Sequence, residues 1–546
     1  MFFWSIVKNP IKYDCFFYIM NSLVIPHLTD NPPINLALDT LKKKKQALVF
    51  VNTKRGAEKL AEDISKKISS SDKILLKISD EILGALPTPT KQCERLARCV
   101  KKGIAYHHSG LVAKQRELIE ENFRKGVIKI ICCTPTLAFG VDLPAFRSII
   151  RDVHRYGGRW GMQDIPVLEY MQQAGRAGRP NFDSYGEAIL IAKTDAEKEK
   201  LVEKYIRGKP ENIFSKLAAD PILRTCVLSL IVTGIVKDKN SLVTFLEKTF
   251  WAHQFKDMEK IKLIVEKVLG QLEEYEFIKS AAKEDFVSAD SLGSETLRPT
   301  LLGKRVSELY LDPVTAFQII TGLRKASSKG LYDFPLLHLI TNTLEMRPML
   351  RARAAEYDEL QEKLAEYDEQ LLVREPSMYD VEYEEFINSI KTALMFYEWV
   401  NEKDEEFLLE KYSIRPGELR AKLEIADWLL FAADELAMLL HFHHLRNEIK
   451  KMRFRVKYGA KEELFALLKL RGIGRVRARI LYNNRIRSVS DVKKADLTRL
   501  AQLLGRKIAL SIKKQVGQDF EKIKVKEKKR KGQVSLKDYP KDHKVK

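Results

Sequence analysis

The chain has few of the features that would place it quickly. Six cysteines (Cys15, Cys93, Cys99, Cys132, Cys133, Cys226) form no CxxC pair, so neither a zinc ribbon nor a disulfide framework is indicated. Cys132 and Cys133 are adjacent within an apolar strand, where free buried thiols are expected, and a reducing cytoplasm fits. No apolar run is long and clean enough to span a membrane. The N-terminal "MFFWSIVKNPIKYDCFFYIMNSLVIP" is interrupted by Lys8, Lys12 and Asp14 and has no cleavage-site pattern. No internal repeat is apparent. Acidic residues are in deficit, with 74 Asp+Glu against 95 Lys+Arg and a formal charge of +21 over 546 residues. That excess favours a polyanionic partner, because each neutralised phosphate releases counterions.

What is present is a domain series. "QALVFVNT" at 46–53 leads into the amphipathic "KRGAEKLAEDISKKI", and "GVIKIICCTPTLAFGVD" repeats the apolar strand at 127–133. Apolar strands alternating with amphipathic helices predict a parallel sheet with helices on both faces. We assign this α/β domain to residues 30–195, after an atypical segment at 1–29. Residues 196–298 read as a compact helical or winged-helix module, and 299–455 as long amphipathic helices. A small basic helical unit spans 456–518, and 519–546 form a charged tail.

The segment "EYMQQAGRAGRP" (169–180) sets Arg176 and Arg179 three apart beside glycines. A guanidinium placed at a transferring phosphoryl group stabilises its charge, whereas the bland alternative is a loop with surface arginines. Upstream stand "YHHSGL" (106–111) and "TPTLAFGVDLPA" (134–145). Between them and the arginines lies "RDVHRYGGRWGMQDIP" (151–166), where Gly157-Gly158 supplies the positive φ of a tight hairpin turn. Near the C-terminus "LLKLRGIGRVRARILYNNRIRS" (467–488) places Gly472 and Gly474 before a basic helix. Backbone N–H groups can approach a phosphate there, with Arg475, Arg477 and Arg479 as countercharge.

In order and spacing these motifs resemble the second RecA-like domain of superfamily 2 helicases. With the domains that follow, the chain from about residue 30 onward resembles the archaeal Hjm-type DNA helicases of the Ski-like branch. The resemblance implies an α/β RecA-like domain followed by mainly α domains: winged helix, helical ratchet bundle and helix-hairpin-helix. It implies ATP and Mg2+ as cofactors, with Gln172, Arg176 and Arg179 facing the triphosphate and Gly140, Asp142 and Gly175 beside it. Asp142 stands where the family pattern has Asn. Thr134, His108 and Asn52 would contact nucleic acid. Tyr156 and Trp160 would belong to a β-hairpin that parts the duplex, since aromatic stacking tolerates any base. Trp428 has the spacing of a core residue, but the resemblance makes it and Arg420 contacts to single-stranded DNA on a ratchet helix. The implied activity is 3′–5′ unwinding of forked or branched DNA in a nucleoid setting.

A phosphate loop, GxxxxGK[ST], and a DExH box are missing. "LLGKRVSEL" (301–309) lacks the spaced glycine and the Ser/Thr after lysine, and "DELA" (434–437) lies on a helix. The expectation is therefore a separate polypeptide that supplies the first RecA-like domain. The rivals are a non-catalytic single-stranded-DNA-binding remnant or clamp-binding module, and an RNA helicase of the same branch. Seven basic residues in 522–531 suggest a nucleic-acid arm, and Gln533, Leu536 and Tyr539 within 533–540 resemble a sliding-clamp-binding peptide.

Overall fold

The computed structural model describes residues 4–8, 25–69, 72–156, 161–179, 183–281 and 296–518. The apolar runs become β2 (Ala47–Phe50), β3 (Ile104–His107), β4 (Ile130–Cys133) and β5 (Arg147–Ile150), each buried along its length. With β8 (Gly186–Leu190) they form a parallel sheet. β1 (Trp4–Lys8) adds to its edge antiparallel to β8, giving the order β1-β8-β5-β2-β4-β3. Strands covered on both faces need continuous apolar sequence rather than alternation, and "ALVF" and "IICC" are of that kind.

Around this sheet pack α1 (Pro32–Lys42), α2 (Lys54–Ser65), α3 (Lys73–Leu83), α4 (Lys91–Val100), α5 (Ala113–Arg124) and α6 (Val167–Ala174). Thr53 caps α2 by accepting from Gly56 N–H at 2.9 Å, which starts the helix directly after the strand. Arg147 enters the core with no exposure, paired with Glu187 and Asp39 and donating to Leu36 O at 3.0 Å. A short antiparallel hairpin, β6 (His154–Tyr156) and β7 (Met162–Asp164), stands off the sheet with His154 opposite Asp164.

After α7 (Asp195–Leu201) come α8 (Asp220–Val232), α9 (Lys239–Glu247), α10 (Phe250–Phe255) and α11 (Met258–Glu274). β9 (Ile278–Ala281) and β10 (Thr296–Pro299) then pair antiparallel as the wing of a winged helix. α12 (Leu301–Glu308), α13 (Pro313–Lys329), α14 (Asp333–Thr341), α15 (Tyr357–Tyr367), α16 (Tyr383–Val400) and α17 (Glu405–Tyr412) lead to the long α18 (Pro416–Leu439) and α19 (His443–Tyr458). One apolar core runs from Leu223 of α8 to Val456 of α19, so winged helix and helical bundle are a single packed unit. In "HFHH" (441–444), His441 and Phe442 lie in the turn after α18 and His443 and His444 open α19, and no metal-ligating cluster occurs among the described residues. The last unit has its own core and holds α20 (Phe465–Leu468), α21 (Arg475–Asn483), α22 (Val489–Lys494), α23 (Leu497–Leu504) and α24 (Arg506–Gln515). Among the described residues no helix is long and apolar enough to cross a membrane.

His338 on α14 is fully buried, 3.0 Å from Ser389 Oγ of α16, and burial pushes its pKa down from 6.5 to about 3. The unfolded chain takes up this proton first, so the stability is present above pH 6.5 and is lost as pH falls toward 3. We expect the unfolding free energy of the helical unit to drop over that window, by about 1.4 kcal/mol per pH unit from this residue. His338→Gln should flatten the slope in urea titrations followed by circular dichroism.

Candidate nucleotide and nucleic-acid interface

The arginine motif is positioned from both ends of α6. At its start, the Glu211 carboxylate accepts from Val167 N–H (2.6 Å) and Leu168 N–H (3.2 Å), satisfying donors that a helix N-terminus leaves open. Near its end, Gln173 is buried and its carbonyl accepts from Ser148 Oγ at 2.8 Å, which ties the helix to β5. Gln172 therefore faces out. The chain then turns back toward the residues preceding β5, with Gly178 N–H donating to Ala145 O at 2.7 Å. Gly178 has φ +89°, and a Cβ on the neighbouring Gly186 would lie 2.1 Å from Gly178 N, so both glycines are needed for this approach.

The two arginines are held differently. Arg179 donates to Asp183 (2.7 and 3.1 Å) and to Gln46 Oε1 (2.6 Å), and Lys45 adds a contact to Asp183 at 2.7 Å. Burial raises the Asp183 pKa, but the bonds from Arg179 and Lys45 outweigh it and hold the carboxyl below its ordinary value. Arg176 instead donates to Ala138 O and lies 3.8 Å from Asp142, whose side chain is 96% exposed. Among the described residues its ion-pair partner is thus a solvent-exposed carboxylate. Gly175 is the C-cap of α6, and Gly140, in the loop carrying Asp142, has φ +78° with open space around it. A donor-only guanidinium on this surface fits a phosphate oxygen. The described residues contain no carboxylate cluster that fits Mg2+.

The nucleic-acid candidates separate on inspection. Thr134 is buried and hydrogen-bonded to Thr136 Oγ1 at 2.9 Å, so Thr136 is the hydroxyl at the surface. Asn52 donates from Nδ2 to His154 O at 2.7 Å, which makes it an anchor for the hairpin base. Of Tyr156 only the backbone position on β6 is described, and Trp160, Gly157 and Gly158 lie outside the described residues. His108 requires a correction. It has no exposed surface; Gly110 N–H donates to its Nδ1 (3.1 Å), and its Nε2 lies 3.2 Å from Glu58. The ring is sealed within the protein and offers nothing to a strand outside.

The same motifs appear in known proteins. The family "Helicase conserved C-terminal domain" matches residues 33–181, and "Helix-turn-helix domain" matches 186–279. "Archaeal helicase, domain 4" matches 334–459 and "SAM-like Helix-hairpin-helix tandem" matches 465–517. The ATP-dependent DNA helicase Hel308 of Methanococcus vannielii is 39% identical over 522 residues, covering 89% of this chain and 67% of the relative. Its namesake from Pyrococcus abyssi is 36% identical over 505 residues (91% and 67%), and that from Caldivirga maquilingensis 34% over 534 (93% and 69%). The chain belongs to the Hel308-like archaeal helicases of superfamily 2. It spans 64–69% of the length of these relatives and of the one from Methanocella arvoryzae.

Within this Hel308-like chain α18 is the long helix of the matched domain 4. Arg420 is exposed on it. Trp428 is half-buried, and its Nε1 donates to Leu309 O at 3.0 Å, which fixes the ring against the core and leaves part of it open. Sequence reasoning missed Phe431, three residues on and half-buried, with the Arg453 guanidinium 4.9 Å over its ring and Asp427 bonding that arginine at 2.9 and 3.1 Å. An aromatic one helical turn beyond Trp428 was the available signal.

In the C-terminal unit the basic residues divide. Arg475 stacks 4.0 Å over Trp399 and donates to Glu405 (2.6 Å) and Lys403 O (2.8 Å). Arg479 pairs with Glu402 (2.8 Å) and Glu463 (2.6 Å). Both are bound to acidic groups in this structure, and Arg475 ties this unit to α17. Arg477 is exposed and donates to Gly472 O at 2.9 Å, beside the open turn formed by Gly472 (φ +86°) and Gly474. A second turn of the same kind, Gly505 (φ +86°) with exposed Arg506 and Lys507, was legible as "LLGRKIA" but not singled out.

Asp183→Ala should leave Arg179 and Lys45 around an empty, buried site. We expect a loss of about 3 kcal/mol from the α/β domain, read as a fall in its thermal transition.

Proposed function

We propose that this chain is the arginine-bearing, DNA-guiding part of an ATP-dependent 3′–5′ DNA helicase that acts on forked or branched DNA during replication-fork repair and recombination. In this reading the phosphate loop, the DExH box and the Mg2+ site come from a first RecA-like domain. Arg176 carries this reading: it sits just past the C-cap of α6, bonded to the Ala138 carbonyl and beside the exposed Asp142 carboxylate. Bound ATP would supply the free energy of stepping, and Arg176 with Gln172 would meet its phosphates. Arg179 acts from behind, through Asp183 and Gln46, as the brace of the motif. The β6–β7 hairpin, anchored by Asn52, stands where a duplex would be parted. Thr136, Arg420, Trp428 and the turns at Gly472 and Gly505 line the strand's course. Residues 533–540, outside the described structure, serve as the clamp-binding peptide, and the protein works at the nucleoid.

DNA-stimulated ATPase of this chain, alone and mixed with a polypeptide carrying GxxxxGK[ST] and DExH motifs, tests the reading. Activity is expected only in the mixture. Arg176→Ala should lower it about a thousandfold while DNA affinity is kept. Silence in the mixture with DNA still bound would leave a binding remnant, and stimulation by RNA alone would assign the RNA branch. Arg477→Ala should weaken binding equally across sequences and reduce the salt slope by about 1.

A further inference from the structure

A buried charge joins the α/β domain to the helical unit. Glu58 on α2 has a side chain only 4% exposed. Arg95 (3.0 Å) and Gln92 (3.0 Å) of α4 reach it from its own domain, and the His108 ring closes one side. The remaining partner is Arg415, the residue before α18, with Nε at 2.9 Å. Burial pushes the Glu58 pKa up, yet these partners hold it at about 2. Removing one member of a buried ionic group leaves the others uncompensated, so separating the two domains is costly.

Two further layers surround that charge. Lys54 of α2 pairs with Glu418 of α18, and Glu418 also accepts from Arg415 N–H at 3.0 Å. Lys91 at the start of α4 donates its N–H to Glu406 of α17 at 2.9 Å and pairs with Glu410. At the centre the backbones touch, with Gly417 N–H donating to Gly110 O at 3.0 Å. A Cβ on Gly417 would lie 2.3 Å from Leu111 O and 2.5 Å from Ser109 O, and one on Gly110 would lie 2.3 Å from Arg415 Cδ. Only glycine on both sides permits this approach.

We infer that Glu58, Gly110 and Gly417 are positioning residues that lock the N-terminal end of α18 onto the second RecA-like domain, so that the two travel as one body. "YHHSGL" (106–111) is then a clamp for the helical unit. Arg420 and Trp428 keep a set offset from Thr136 and the hairpin, and stepping along a strand requires another domain to move against the combined body. That last consequence rests on the function proposed above, whereas the lock itself does not.

Spin labels at Lys59→Cys on α2 and Glu424→Cys on α18, both exposed positions, read the lock directly in the full chain with Cys15 and Cys226 replaced by serine. We expect one narrow distance distribution. Glu418→Lys should broaden it, and adding Lys54→Glu should narrow it again. Gly417→Ala should broaden it although alanine favours the helix, so lost helicity cannot be the cause. With the first RecA-like domain added, Gly417→Ala should slow unwinding about tenfold at unchanged ATP KM. A broad distribution in the unsubstituted protein, or a narrow one in Gly417→Ala, overturns the lock whatever unwinding does. A broadened distribution with full unwinding speed overturns the positioning role alone.

Discussion

A carboxylate removed from water must be met by cations or donors, and Glu58 is met from two domains at once. Much of the arrangement of the chain follows from that requirement. Arg415 must arrive at the start of α18, which sets where this helix begins against the α/β domain. Lys54, Glu418, Lys91 and Glu406 then pair across the same seam. His108 is trapped among them, which explains a buried, neutral imidazole in a motif that looks exposed.

Charge is distributed by the same logic elsewhere. The formal excess of +21 suggests a uniformly basic surface, yet many arginines are spent on acidic partners. Arg147 is fully buried with Glu187 and Asp39, and Arg224 is paired with Asp312 between α8 and the start of α13. Arg475 and Arg479 are bound to Glu405, Glu402 and Glu463. The guanidinium is suited to this work because its planar fork satisfies a carboxylate bidentately and stacks on rings such as Trp399. Arg420, Arg477, Arg506 and Lys507 are among the basic residues left exposed.

Mechanical continuity follows from the cores. The winged helix and helical bundle share one apolar interior, the seam at Glu58 fastens that unit to the α/β domain, and the Arg475–Trp399 stack fastens the C-terminal unit to the bundle. The hairpin, α18 and the basic turns are consequently carried on one framework. Polar contacts make the seams and apolar contacts make the units, in keeping with the more polar character of interdomain surfaces.

The order of elements was legible in the sequence because it depends on local pattern. Apolar runs such as "ALVF" and "IICC" lie in a parallel sheet buried on both faces, and the glycines of "AGRAGR" and "RGIGRVR" mark a close backbone approach at Gly178 and an open turn at Gly472. Family membership was legible for the same reason, since motif order is a property of the chain. The fate of individual polar side chains was not. Nothing near His108 in sequence points to Glu58 fifty residues earlier or to Arg415 three hundred later, and the identical arginines of "GRAGR" differ only because Asp183 folds back onto one of them. Ion pairing between distant segments is set by the fold, because a side chain's environment is made of whatever the tertiary structure brings beside it.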